Sequence, residues 1–390
     1  MAGRGYLETV EDAHLRARRR LPRQVYLALL SGSQAGVTMR SNVRRFHDLM
    51  LDTRVAAWPE AVDLSTTAAG QQLSLPVMCS PVGAQAVHPD GELAVARAAA
   101  EAGTAYGLST FASFAIEDVI VENPQTMFQL FWIGSRDDIA ARVDRAKRAG
   151  ASGLVLTLDW TFPTGRDWGS PFIPMKLDWR AMARYAPQAL RHPAWLWSFV
   201  KSGRLPTLDV PNMAADRGQP PPAYFEAYGQ WMQTPMPTWE DVAWVRAQWD
   251  GPFVVKGILD PEDARRAVDA GADAISVSNH GGNDVDGAVP AVVALPRVAS
   301  AVGDRVDVLM DGGIRRGSDV VKAIALGARA VLIGRAYLWG LASRGQTGVR
   351  EILDIFRRDM TQTMMAVGAG SIDEIRREHV IVPDGWMLGL

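Results

Sequence analysis

One local pattern recurs along this chain, and it restricts the fold more than any other feature of the sequence. An Ala-rich, helix-forming stretch ends in glycine, and within two or three residues a β-branched or apolar run begins. It is read in ARAAAEAG before TAYGLST, DRAKRAG before ASGLVLTLD, ARRAVDAG before ADAISVSN and VKAIALG before ARAVLIGR, with Gly103, Gly150, Gly271 and Gly327 as the closing residues. Glycine takes the left-handed conformation that ends a helix, and so short a link returns the chain directly to a strand. Helix then strand, repeated, calls for parallel strands joined by right-handed crossovers.

The apolar runs predict strands at 75–80, 104–108, 126–131, 153–159, 252–256, 273–278, 306–311 and 329–333. Eight strands in one continuous alternation, with no early GxGxxG turn, favour an α/β fold of the closed (β/α)8 TIM-barrel type over an open dinucleotide-binding sheet. A length of 390 residues suits one barrel domain spanning 1–390 and carrying an insertion. Residues 1–70 are expected to form an N-terminal helical cap. Residues 167–238, rich in Pro, Trp and Met, form a long insertion after the fourth strand. Connections this long are usually lids or spacers, and the many aromatics here point to a folded lid or an interface. Within it AWLWSFVK, flanked by Arg191 and Lys201, suits a packed lid, a subunit contact or a membrane surface.

Composition removes several function classes. The formal net charge is -2, which leaves no basic excess for a nucleic-acid backbone. The single cysteine, Cys79, sits in the apolar run LPVMCSP and reads as a small buried residue, and no Cys/His spacing resembles a zinc site. No apolar run reaches the roughly 18 residues of a membrane span. The N-terminus is charged and lacks an apolar core, so no secretory signal is read and a cytoplasmic location is expected.

Chemistry in such barrels sits at the C-terminal ends of the strands. Those ends present Ser80-Pro81-Val82-Gly83, Ser109-Thr110, Gln129, Thr157 with Asp159, Lys256, Ser278 with His280, Asp311-Gly312-Gly313 with Arg315, and Gly334-Arg335. Hydrogen-bonding and charged residues gather at one rim, which a purely structural barrel has little reason to do. DGGIRRGSD and IGRAY read as a phosphate site, with glycines admitting backbone amides to an anion and Arg315 or Arg335 adding charge-assisted bonds. Lys256, the one charge in FVVKG, suits either a structural ion pair or a place beside a cofactor ring that gains negative charge on reduction. His280 with Asp159 has the composition of a general base held in one tautomer.

At these residues the sequence resembles the FMN-dependent α-hydroxy-acid oxidases and dehydrogenases, from LPRQVY near the start to GVREILDIFRRDM near the end. SNHGG followed by DGGIRRGSDVVKAIALGARAVLIGR is the most specific marker. The resemblance implies FMN as cofactor, with Pro81, Val82, Gly83, Ser109, Gln129, Thr157, Lys256 and Ser278 around the flavin ring and ribityl chain. Asp311, Gly313, Arg315, Gly334 and Arg335 would hold the ribityl end and phosphate. His280 would be the base, supported by Asp159, and Tyr26 and Arg166 would reach the substrate. A homo-oligomer is also implied.

Two departures bear on the substrate. The family carries an Arg three residues after the His, where HGGNDVDG places Asn283, and a Tyr where FQLFW places Phe131. Asn cannot offer the bidentate charged fork that recognises a carboxylate. Together with DWTFPTGRDWGSP, IGRAYLWGLA and the Trp- and Pro-rich insertion, these residues resemble a narrower branch of the family. That branch acts on a peptide-derived cyclic amine whose amide carbonyl stands where a hydroxy acid has its carboxylate.

Overall fold

The computed structural model describes residues 5–84, 86–159, 165–174 and 178–386. Eight parallel strands close into a barrel in sequence order. They are β1 (Val77–Cys79), β2 (Tyr106–Ser109), β3 (Thr126–Phe131), β4 (Gly153–Thr157), β5 (Phe253–Ile258), β6 (Ala274–Val277), β7 (Asp307–Asp311) and β8 (Ala330–Ile333). The last strand returns to the first, with Val331 opposite Val77 and Ile333 opposite Cys79. The TIM barrel expected from the sequence is the fold observed. Gly103, Gly150, Gly271 and Gly327 all take positive φ, between 68° and 107°. Cys79 is fully buried in β1, and burial pushes its thiol up to about 12.

Both faces of each strand are covered, which explains the nearly continuous apolar runs. One layer fills the barrel itself, where Met78, Met127, Val155, Val254, Leu309 and Leu332 meet Ala68, Ala69 and Leu73 of a hairpin (Thr66–Ala68 with Gln71–Leu73). That hairpin is tied to the N-terminal end of the barrel through Ala69 N to Asp307 Oδ2 (2.8 Å) and Gln71 Nε2 to the Ser152 carbonyl (3.1 Å). The opposite end is left for chemistry.

β5 differs from its sequence reading. It runs past Lys256 to Ile258, with a register shift between those residues against β6. Gly257 has φ +110°, and a Cβ there would lie 2.7 Å from the backbone nitrogen of Asp159. Glycine thus lets the strand irregularity press against Asp159, bringing Lys256 and that carboxylate together.

Before β1 come helices Val10–Arg20, Arg23–Leu30 and Val37–Asp48. The first is capped by Thr9, which accepts from the Asp12 amide at 3.0 Å. Between β4 and β5 lie helices Trp179–Leu190, Pro193–Ser202 and Tyr224–Gln233, followed by Trp239–Ala247 leading into β5. Among the described residues no helix is long and apolar enough to cross a membrane, and no His/Cys/Asp/Glu group has a metal-binding arrangement.

Candidate active site

A cavity of about 1080 Å³ opens at the C-terminal ends of the strands. Pro81, Val82 and Gly83 after β1, Ser109 of β2, Gln129 and Phe131 of β3 and Thr157 of β4 line it. So do Lys256, His280, Asn283, Asp311, Gly313, Arg315, Gly334, Arg335 and Arg166. Ser278, Asp159 and Tyr26 do not reach its wall.

Asp159 and Ser278 stand directly behind that wall. His280 Nδ1 lies 2.9 Å from Asp159 Oδ1, and Lys256 Nζ lies 3.2 Å from Asp159 Oδ2 and 3.3 Å from Asp311 Oδ2. Lys256 also donates to Ser278 Oγ at 2.8 Å, and Ser278 Oγ donates to Asp311 Oδ1 at 2.9 Å. Burial alone would raise the Asp159 carboxyl, but the His280 ring and the Lys256 ammonium hold it well below the usual carboxylate range. Burial likewise opposes the Lys256 charge, yet Asp159 and then Asp311 keep that group above its ordinary value. Lys256 therefore pairs with carboxylates, as one of its sequence readings has it, while lining the cavity.

His280 holds φ +53°, a left-handed conformation unusual outside glycine. Its amide donates to Ser278 Oγ at 3.0 Å, which helps fix this backbone. With Nδ1–H given to Asp159, Nε2 is the nitrogen left with a lone pair.

Two cations gather at the ends of β7 and β8. Arg315 Nη1 donates to its neighbour's carbonyl, Ile314 O, at 2.7 Å, and Arg335 donates to the Gly281 carbonyl. Among the described residues neither has a carboxylate within ion-pair distance. Burial, then the nearby Arg315 charge, push the Arg335 guanidinium down to about 9. Partly buried charges with no carboxylate at ion-pair distance are a suitable setting for an anion.

The glycine-rich turn beside them works differently from its sequence reading. The amides of Arg315 and Arg316 donate to Asp319 Oδ2 at 2.9 and 3.0 Å, so those two are occupied by the protein itself. Gly313 has φ +86°, and a Cβ there would lie 2.0 Å from the Asn42 carbonyl. Its glycine is required by the approach of helix Val37–Asp48. That helix is pinned by a reciprocal amide pair, Asn42 Nδ2 to Asn279 Oδ1 at 2.8 Å and Asn279 Nδ2 to Asn42 Oδ1 at 2.9 Å.

On the side of the cavity facing His280 the wall is aromatic. The Phe131 ring stacks 6.1 Å from the imidazole and lies 4.6 Å from Trp231, with Phe111 5.6 Å from Phe131 and 5.4 Å from Tyr224. Tyr224, Tyr228 and Trp231 share one face of helix Tyr224–Gln233. Arg166, partly buried and hydrogen-bonded to the Leu27 carbonyl at 3.2 Å, is a cation whose charge acts on both tyrosines.

A scan against protein-family models matches residues 17–382 to the FMN-dependent dehydrogenases. The chain belongs to the FMN-dependent dehydrogenase family. It is 57% identical over 385 residues to a pre-mycofactocin synthase of Mycolicibacterium smegmatis, covering 99% of this chain and 96% of the relative. It is 39% identical over 375 residues to an L-lactate dehydrogenase of Pseudomonas aeruginosa, covering 95% and 97%. Among solved structures it is similar to the monotopic membrane protein (S)-mandelate dehydrogenase, with a TM-score of 0.86, 32% identity and 97% and 100% coverage.

The cavity fits the cofactor of an FMN-dependent dehydrogenase on its own chemistry. Two partly buried guanidiniums stand at one end of the cavity, suited to an anion. Gln129 Nε2 and Thr157 Oγ1 are buried on the cavity wall with no hydrogen-bond partner among the described residues. Such groups are uncommon in folded proteins and suit a polar ring edge.

Three sequence expectations change with the geometry. Tyr26 turns away from the cavity: its hydroxyl bonds His14 Nε2 at 3.0 Å and its ring lies against Trp339, while Ala28 on the same helix lines the wall. A two-residue step on a helix turns a side chain to another face, and sequence alone did not separate the two positions. Ser278 holds Lys256 from behind the wall. Asn283 has its carbonyl oxygen taken by Ser31 Oγ and the Gly32 amide, both at 2.5 Å, and gives one N–H to the His280 carbonyl at 2.8 Å. One amide N–H remains beyond these bonds. The aromatic wall was missed, although Tyr224, Tyr228 and Trp231 at i, i+4 and i+7 carry a legible helical spacing. Phe111 carried no signal of its own.

Proposed function

We propose that this enzyme oxidises the C–N bond of a peptide-derived aminopyrrolidinone to an α-keto amide, the pre-mycofactocin synthase reaction. The observation that carries the reading is the wall facing His280. It offers one cation, Arg166, one amide N–H from Asn283 and an aromatic cluster of Phe111, Phe131, Tyr224, Tyr228 and Trp231. A simple hydroxy acid needs a charged fork for its carboxylate. A neutral lactam bearing the phenol ring of a tyrosine needs one or two hydrogen bonds and an aromatic surface, which this wall supplies. Similarity to the mycobacterial relative supports the same assignment.

FMN would be held by Pro81, Val82, Gly83, Ser109, Gln129, Thr157 and Lys256 around its ring and chain, with Ser278 fixing Lys256. Asp311, Gly313, Arg315, Gly334 and Arg335 would hold the ribityl end and phosphate. When bound, FMN would supply the two-electron acceptor for hydride from the substrate carbon, with O2 as the final oxidant, reduced to H2O2. His280 Nε2 takes a proton from the substrate amine, and the C–N single bond becomes C=N. Asp159 faces the imidazolium that forms and stabilises it. Arg166 and the remaining Asn283 N–H hold the lactam oxygen. Water then replaces the imine nitrogen, leaving the ketone and ammonia.

The test is an anaerobic titration of FMN absorbance with the aminopyrrolidinone and, separately, with L-lactate, in the native enzyme and in His280→Gln. Bleaching by the amine in the native enzyme alone is the expected result. Bleaching by lactate but not the amine would make this a 2-hydroxy-acid dehydrogenase with an altered pocket. Normal bleaching in His280→Gln would remove His280 as the base.

A further inference from the structure

The insertion between β4 and β5 is held in two different ways along its length. Helices Trp179–Leu190 and Pro193–Ser202 bury Ala181, Trp195 and Phe199 and lie otherwise at the surface. Beyond Leu208 the chain is built into the barrel. Val210, Asn212, Met213 and Ala214 are buried around a single 3₁₀ turn, Pro211–Met213. Val210 and Met213 pack in one cluster with Phe111, Phe131, Ala227 and Trp231, so this turn is the backing of the aromatic wall. The turn also sets where the wall's own helix begins. Val210 N donates to the Pro222 carbonyl at 3.1 Å and Tyr224 N to the Leu208 carbonyl at 2.7 Å, directly ahead of helix Tyr224–Gln233.

Polar side chains fasten this turn to the barrel. Asn212, 1% exposed, uses its whole amide: Oδ1 accepts from the Ile116 N–H at 2.9 Å, while Nδ2 donates to the Phe114 carbonyl at 3.0 Å and to the Ser109 carbonyl at 3.4 Å. Arg145 Nη1 donates to the Pro211 and Ala214 carbonyls at 2.6 and 3.0 Å, and its Nε and Nη2 fork onto Glu117 at 2.8 and 2.9 Å. Arg142 donates to the Ile133 carbonyl beside Met213. The three bonds of Asn212 all fall on the segment 109–116, which follows β2 and carries Phe111. Ser109 and Phe111 both line the cavity. One buried amide therefore grips the Phe111 segment on one side and, through its own backbone, the turn behind Trp231 on the other. The two rings stand 5.9 Å apart. An apolar side chain of similar volume would fill the same space, but it would leave three backbone groups unbonded and give no directional hold.

We infer that Asn212 is a positioning residue for substrate choice: by holding the Phe111 segment and the turn behind Trp231 in one register, it sets the width of the aromatic slot. The inference rests on the proposed reading of that wall as the seat of the substrate's phenol ring. Asn212 does not line the cavity and touches no reacting atom. Its effect reaches the substrate through the spacing of the rings, so its loss weakens the binding of a ring-bearing substrate and spares the chemistry at His280.

The experiment compares FMN-loaded native enzyme with Asn212→Ala and with the milder Asn212→Asp. The aspartate keeps the acceptor for the Ile116 N–H, at a helix start where negative charge is favoured, and loses both donors. KM for the phenol-bearing aminopyrrolidinone should rise about tenfold in either variant, as part of an aromatic contact is lost, while kcat moves far less. An analogue without the phenol ring should lose at least fivefold less. Unchanged FMN absorbance reports that each variant is folded and loaded. Hydrogen exchange, which needs no substrate, should speed up in peptides spanning 208–234 of Asn212→Asp while the barrel strands keep their native protection. Equal losses on the two substrates, or a native KM in both variants, would overturn the inference, leaving Asn212 a structural residue alone. Should neither amine bleach the flavin of native enzyme, the reading of the wall fails separately and hydrogen exchange decides on Asn212. Native-like exchange across 208–234 would then show that it does not hold the wall.

Discussion

Asp159 divides its carboxylate between two roles: Oδ1 sits 2.9 Å from Nδ1 of His280, while Oδ2 takes the Lys256 ammonium at 3.2 Å. One buried anion thereby orients the imidazole and joins it to the lysine. Asp159→Asn keeps the shape and removes the charge. Flavin reduction by substrate should slow about 10²–10⁴-fold, the range of a mispositioned general base, with FMN still bound. Anaerobic stopped-flow absorbance reads this directly. An unchanged reduction rate would mean that the pair is structural.

The same carboxylate makes stability depend on acidity with a definite sign. Its pKa is lower in the folded protein than in the unfolded chain, so the unfolded chain binds the proton more readily. The stabilisation from Asp159 is complete above the ordinary carboxylate range, near pH 4, and declines as pH falls below it. Native enzyme and Asp159→Asn should differ most in melting temperature at neutral pH and converge on acidification. A gap that widened on acidification would contradict the pairing.

Arg315 and Arg335 should separate cofactor affinity from protein stability. Among the described residues neither has a carboxylate within ion-pair distance, so Arg335→Gln removes a poorly compensated charge from the apoenzyme. The apo form should melt no lower than native, while FMN affinity falls about 10–100-fold, as expected for one charge-assisted hydrogen bond. Fluorescence titration of FMN and calorimetry of the apoenzyme measure the two effects. An apoenzyme strongly destabilised by Arg335→Gln would show that the guanidinium serves the fold.

The aromatic wall can be tested at Trp231, 4.6 Å from Phe131. Trp231→Ala should raise KM for the phenol-bearing amine by more than tenfold, on the scale of about 1.5–3 kcal/mol for a lost aromatic surface. An analogue lacking the phenol ring should be affected far less. Equal losses on both substrates would point to general loosening of the pocket.

The barrel was legible because its signals are local. Each of the four helix-closing glycines names its own turn, and strands covered on both faces read as apolar runs. Strand ends named the rim residues as well, since a TIM barrel places them together. What escaped depends on pairs far apart in sequence. Asn42 and Asn279 meet across 237 residues, and neither asparagine hints at the other. The two-residue difference between Tyr26 and Ala28 depends on how one helix is rotated against the barrel. Packing with His14 and Trp339 sets that rotation, and no local pattern reports it.

Asn283 shows how a residue type can be read correctly and its partners missed. Its amide grips Ser31 and Gly32, where the chain turns through φ values of +53° and +92°. Introducing Arg there would therefore do more than restore a carboxylate clamp, because the turn at Ser31–Gly32 would lose its holder. Asn283→Arg should lower the melting temperature and leave oxidation of L-lactate undetectable. Asn283→Ala should lower the melting temperature similarly, by about 1–3 kcal/mol of stability for the polar groups left without partners. Calorimetry and lactate-driven FMN bleaching on the two variants settle the matter. An Asn283→Arg enzyme that melts at the native temperature and oxidises lactate would make position 283 a simple specificity switch, independent of the turn it now holds.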